Sequence, residues 1–142
     1  MSTRARVRTA LTVFRLCFLF AVLTIAKRIL PLSLLVRGSW KAPSRRRTRR
    51  VDHIAGTVLR ATALFGAGDR FCVERSLMLF RELAVQGYEP ELSVGFNRVK
   101  DDGALTGHAW VTIQGRVVVE PDPVERGLVQ ALRFGRAGAL LT

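Results

Sequence analysis

Residues 105–119, LTGHAWVTIQGRVVV, hold two short β-runs on either side of a Gln-Gly pair. Valine, threonine, isoleucine and tryptophan flanking a glycine in this way read as a hairpin. A hairpin forces an antiparallel pair, because strands joined by so short a loop cannot run parallel. The segments before it read as helices. In DHIAGTVLRATALF, Ile54, Val58, Ala61 and Leu64 or Phe65 recur at the spacing of one helical face, and Gly66 and Gly68 end the run. Val73, Leu77, Phe80 and Ala84 follow at i, i+4, i+7 and i+11, with Asp69 as the expected N-cap and Gly87 as the stop. Leu92, Val94 and Phe96 then alternate with Glu91, Ser93 and Gly95 as in a strand, and KDDG at 100–103 makes a turn. This order predicts an α+β fold, with N-terminal helices followed by a small antiparallel sheet of three strands.

Charge divides the chain near residue 50. Residues 1–50 hold 13 of the 23 Lys and Arg and no Asp or Glu, whereas the remaining 92 residues hold 10 bases against 11 acids. A near-neutral domain over 51–142 therefore follows a basic, apolar arm over 1–50, and the net charge of +12 belongs to the arm. Between Leu16 and Ala26 the uncharged run is 11 residues, against the ~20 that a spanning helix needs. The basic start would suit a secretory signal, but no small-x-small cleavage site precedes Lys27 and Arg28. The preferred reading is a helical pair that packs on the domain or on a partner, compatible with contact at a membrane surface. KAPSRRRTRR at 41–50 reads as a solvated linker. Its five arginines, Arg45, Arg46, Arg47, Arg49 and Arg50, are not interleaved with the aromatic residues that a single-strand platform would need, so no nucleic-acid partner is expected.

Chemistry enters at Cys72, expected in the first turn of the second domain helix. A thiol attacks as thiolate, a form favoured by the positive end of a helix, and Arg70 and Arg75 add positive charge nearby. A nucleophilic cysteine also needs a base, which must be His108 or His53, the only two histidines. Taken alone, Cys72 is more simply a small buried hydrophobe. The hairpin shifts that balance. If Ile113, Gln114 and Gly115 form a three-residue loop, Thr112 pairs with Arg116, Glu120 faces His108 across the ladder and Asp122 lies on the diagonal. A two-residue loop would put both acids on the opposite face. No CxxC or HxxxH pair accompanies Cys72 and His108, so a metal site is weakly signalled. With only Cys17 and Cys72 present, a structural disulfide is not expected and a reducing cytoplasm is the simpler location.

At these residues a resemblance appears. FCVERSLMLFRELAVQGYEPELSVGFNR followed by GHAWVTIQGRVVVE resembles the transglutaminase-like cysteine proteases, and most closely the B proteins of lasso-peptide biosynthesis, over roughly residues 52–125. The resemblance implies a papain-like fold whose Cys-His-Asp triad cuts a leader from a ribosomally made precursor. Carried over, it makes Cys72 the nucleophile and His108 the base. Its third member falls on Glu120, where such proteins more usually have aspartate, so Glu120 and Asp122 compete to orient the imidazole. On the implied mechanism His108 takes the thiol proton, the thiolate attacks the carbonyl at the leader–core junction, and water releases the leader from the thioester. The Cys72 backbone N–H supplies one oxyanion donor. No cofactor is implied, and the chain has no Gly-rich nucleotide motif.

The family's fused members carry a leader-recognition domain ahead of the protease. The arm is too short and too apolar for one, which implies a split form. Its expected partners are the precursor leader, a separate leader-recognition protein and an ATP-dependent lasso cyclase. The arm is the candidate for docking one of these proteins, a membrane surface or an exporter. Rival readings are another transglutaminase-like acyl-transfer or amidase enzyme, and a non-catalytic membrane-associated adaptor in which Cys72 is only core.

Overall fold

The computed structural model describes residues 3–44, 48–66, 69–98, 105–119 and 127–141. Four helices precede four strands: α1 Thr3–Ala26, α2 Leu32–Ser39, α3 Val51–Ala63, α4 Cys72–Val85, β1 Pro90–Arg98, β2 Leu105–Ile113, β3 Arg116–Val118 and β4 Val129–Phe134. The strands form one antiparallel sheet in the order β3-β2-β1-β4. The α+β expectation holds, with one strand more than the sequence suggested. β4 was missed because most of it faces outward, so VQALRF lacks the apolar alternation of a half-buried strand. The expected KDDG turn lies outside the described residues.

α4 is the centre of the molecule. None of its residues is exposed, and Cys72, Glu74, Ser76, Leu77, Met78, Leu79, Phe80, Leu83 and Ala84 are buried. It packs against α1, α2 and α3 on one side and against β1 and β2 on the other. A helix buried all round needs apolar residues on more than one face, and SLMLF in its middle supplies them. Its start differs from the expectation. Asp69 does not cap it; Asp69–Phe71 is a 3-10 turn, Phe71 occupies the N-cap position without a side-chain cap bond, and Cys72 is the first helical residue. Its end is regular. Gly87, at φ 79°, donates its N–H to Ala84 O, and Tyr88 donates to Leu83 O. These two bonds make a Schellman cap on the glycine that the sequence marks as the stop.

The arm is part of the same core. Leu16, Phe20 and Leu23 of α1, with Leu35 and Val36 of α2, are buried in one cluster with Ile54, Val58, Leu77, Phe80, Leu92 and Val111. Phe20 stacks on Phe65 at 4.3 Å between ring centroids and meets Phe71 edge-on at 5.1 Å. The core therefore runs across residue 50. The described ends of the linker are tied down as well: Ser44 N–H donates to Val85 O, Thr48 Oγ1 to Gln86 Oε1, and Tyr88 OH to Arg49 O. Arg45, Arg46 and Arg47 lie outside the described residues.

Because Phe20 packs between Phe65 and Phe71, truncating it removes a ring that joins the arm to the start of α4. Phe20→Ala is expected to cost about 3–5 kcal/mol. Urea denaturation checks this: the midpoint should fall with little change in slope, and an unchanged midpoint would show that α1 adds nothing to the domain's stability.

Candidate active site at the start of α4

Ser76 Oγ donates a 2.9 Å hydrogen bond to the Ala109 carbonyl. This bond joins the second turn of α4 to the residue next to His108. Leu79, the next α4 residue on that side, borders the same small cleft as Val111 and Val118, so helix and strand run in the same sense along their contact. Moving back along both elements leads from Ser76 to Cys72, roughly 5–6 Å away, and from Ala109 to His108, about 3.8 Å away. The structure thus brings the Cys72 and His108 segments to one helix–strand junction. Both residues are nearly closed off, Cys72 at 6% and His108 at 5% exposure.

The other candidate base is removed from this junction. His53 is exposed in the first turn of α3, and the Thr48–Gln86 and Tyr88–Arg49 bonds hold the start of α3 beside the C-terminal end of α4. A 14-residue helix is about 21 Å long, which separates His53 from Cys72. A cavity of 270 Å³ bordered by Trp40, Tyr88, Pro90 and Arg136 lies at that same remote end.

The loop of the hairpin departs from expectation. Ile113 pairs with Arg116 and Val111 with Val118, so the loop has two residues, Gln114 and Gly115. Their φ values of 50° and 75° are those of a type I′ turn, whose twist matches that of the strands it joins. The three-residue loop is therefore overturned, and the register from which Glu120 was expected to face His108 goes with it. Parity does not carry past the ladder in any case, because β3 ends at Val118 and Val119 turns at φ 85°. Glu120 and Asp122 themselves lie outside the described residues.

The described β2–β3 pairing stops at Val111, and the first turns of α4 approach β2 just before it, at Ala109. Along β2, Ala109 and Val111 join the core cluster, and His108 and Trp110 alternate with them. The His108 and Trp110 rings lie nearly parallel, 16° apart with centroids at 6.4 Å. Gly95 pairs with His108 on the other side. A Cβ on Gly95 would stand 2.8 Å from the Trp110 ring and 2.7 Å from Val129 O, and a bulge in the β1–β4 ladder falls between Val94 and Gly95. Glycine is thus required where β4 and the indole close on the strand beside His108.

Sequence reasoning missed Glu74, which is fully buried two residues after Cys72. Its Oε1 accepts from Lys27 Nζ at 2.6 Å and, at 3.4 Å, from Thr24 Oγ1; Oε2 is buried with no protein hydrogen bond. In the first turn of α4 a carboxylate also meets the positive end of the helix. The partner is 47 positions away in sequence, so no local signal announces the pair. Ser76 was missed as well, although its place at i+4 from Cys72, on the same helical face, was a signal that could have found it.

A family model for the transglutaminase-like superfamily matches residues 12–132. The chain belongs to that superfamily. No curated protein and no solved structure shows significant similarity to it. The transglutaminase-like match begins inside α1 and ends in β4, so it takes in the arm helices that share the core. Transglutaminase-like proteins generally are cysteine peptidases or acyltransferases, chemistry that needs a cysteine and a histidine on elements that meet.

Two substitutions check this architecture. Lys27→Met leaves the Glu74 carboxylate buried and unpaired and should cost about 2–3 kcal/mol, below the range for a wholly buried pair because Lys27 is partly exposed. Lys27→Met with Glu74→Leu should recover most of that loss in urea denaturation; equal losses in the single and double variants would show that the pair does not couple. Gly95→Ala should cost about 1–3 kcal/mol by overpacking and shift the tryptophan emission in a Trp40→Phe background, where Trp110 is the remaining indole. Emission and midpoint both unchanged would mean that the indole does not rest on Gly95.

Proposed function

We propose that this chain is a cysteine peptidase with a papain-like catalytic arrangement that removes the leader from a lasso-peptide precursor. The junction of the Cys72 helix start with the His108 strand, tied by the Ser76–Ala109 bond, is the observation that carries this reading. Within a transglutaminase-like chain, a cysteine at the first residue of a central helix beside a strand histidine has the parts that acyl transfer to a thiol requires.

In this reading His108 takes the Cys72 proton and the thiolate attacks the carbonyl at the leader–core junction. The imidazolium then protonates the departing amine, and water releases the leader from the thioester. In this reading the Cys72 N–H, at the first residue of α4, is one donor to the developing oxyanion. Glu120 or Asp122 orients His108. With the three-residue loop gone, the hairpin gives no reason to prefer one acid over the other. The reading places the enzyme in the reducing cytoplasm. There it works with a separate leader-recognition protein and hands the freed core peptide to an ATP-dependent cyclase.

Mass spectrometry of a precursor peptide incubated with the chain, together with a small recognition protein encoded beside it, tests the proposal. Leader loss should vanish with Cys72→Ala and with His108→Ala. Of Glu120→Gln and Asp122→Asn, the variant of the orienting acid should fall by the larger factor, of the order of 10²-fold or more by the magnitude typical of a catalytic base's contribution. Leader removal undiminished in Cys72→Ala would leave Cys72 as core and return the chain to an adaptor role. Acyl transfer to an added amine in place of hydrolysis would assign it to the acyltransferases of its superfamily.

A further inference from the structure

α1 buries one face and leaves another apolar face open. Leu16, Phe20 and Leu23 point into the core, while Val7, Leu11, Phe14, Phe18, Val22 and Ile25 are exposed, Phe14 at 73% and Phe18 at 66%. At 100° per residue these six positions fall within one narrow stripe on the side opposite Leu16 and Phe20. The stripe runs about 27 Å along the helix, and Ile29, Leu30 and Leu34 extend the exposed apolar surface beyond it. Between Thr9 and Ala26 the only charge is Arg15, whose guanidinium is engaged by Glu82 of α4 at 2.6 Å. The stripe itself therefore carries no formal charge. Arg4, Arg6 and Arg8 precede it and Arg28 follows it, Lys27 being taken up by Glu74 on the core side, and residues 1–50 contain no acid.

We infer that this face of α1 lies on an anionic phospholipid bilayer, parallel to its surface. Apolar side chains enter the acyl boundary while basic residues at both ends meet lipid phosphates, the arrangement of an interfacial helix. Charge selects this occupant over a second copy of the chain. Pairing two such stripes sets bases against bases whether the helices run parallel or antiparallel, with no acid in the arm to relieve them. The buried face selects lying over spanning. Thr9–Ala26 is long and apolar enough to cross a membrane, but crossing would pull Leu16, Phe20 and Leu23 out of the core and break the Lys27–Glu74 pair.

Co-sedimentation of the full chain with vesicles tests the inference, with equal parts phosphatidylglycerol and phosphatidylcholine in one arm and phosphatidylcholine alone in the other. The chain should pellet with the anionic vesicles at least fivefold more than with the neutral ones and be released by 0.5 M salt or alkaline carbonate. Phe14→Glu with Phe18→Glu, two exposed positions that leave the core intact, should abolish pelleting while the urea midpoint stays unchanged. Retention after carbonate would overturn the inference in favour of a span. Absence of vesicle binding would also overturn it: with a dimer that the double substitution dissociates, the face would belong to a second copy, and with a monomer, to a partner protein bearing acidic residues.

Discussion

Glu74 brings a carboxylate into the interior two residues from Cys72, and the arrangement around the candidate site depends on how that charge is held. An isolated buried carboxylate is too costly to keep ionised. Lys27 answers it at 2.6 Å, and Lys27 ends the helix whose Phe20 packs on Phe65 and Phe71. Arg70 lies over the Phe71 ring, 4.5 Å from its centroid. One ion pair and one aromatic cluster thus fix the C-terminal part of α1 against the turn that leads into α4.

From that anchorage the rest follows in layers. α4, wrapped on every side, acts as the axle of the fold, and the Schellman turn at Gly87 delivers the chain from its end to β1. β1 sits between β2 and β4 and passes Gly95 beneath Trp110, so the strand next to His108 is pinched from two directions. The Ser76–Ala109 bond then locks helix to sheet just beyond the described β2–β3 pairing. Helix α4 and strand β2 carry Cys72 and His108, while Glu120 and Asp122 follow the turn at Val119 in sequence.

What the sequence revealed and what it hid divide along the range of the interactions. The α3 and α4 periodicities, the β1 run and the hairpin are local, and Ile54, Val58, Leu77, Phe80 and Leu92 are buried as their spacing requires. The cysteine at a helix start was legible for the same reason. The loop length was not, because Gln114 accepts a positive φ that composition ascribes more readily to a lone glycine. β4 escaped because an edge strand with a solvated face loses the alternation by which strands are recognised. The Lys27–Glu74 pair and the shared core across residue 50 join positions far apart in the chain, which no windowed reading of hydrophobicity brings together.

The burial of Leu16, Phe20 and Leu23 has a consequence for the order of events during synthesis. Their partners in α3, at Phe65 and in α4 emerge from the ribosome some tens of residues later, a delay of roughly 2–10 s at ordinary elongation rates. Throughout that interval α1 is a helix apolar on both faces, of a length and composition that could enter a bilayer. Its first encounter in the cell comes before its own domain exists, so the surface it meets in those seconds competes with the core for the same side chains.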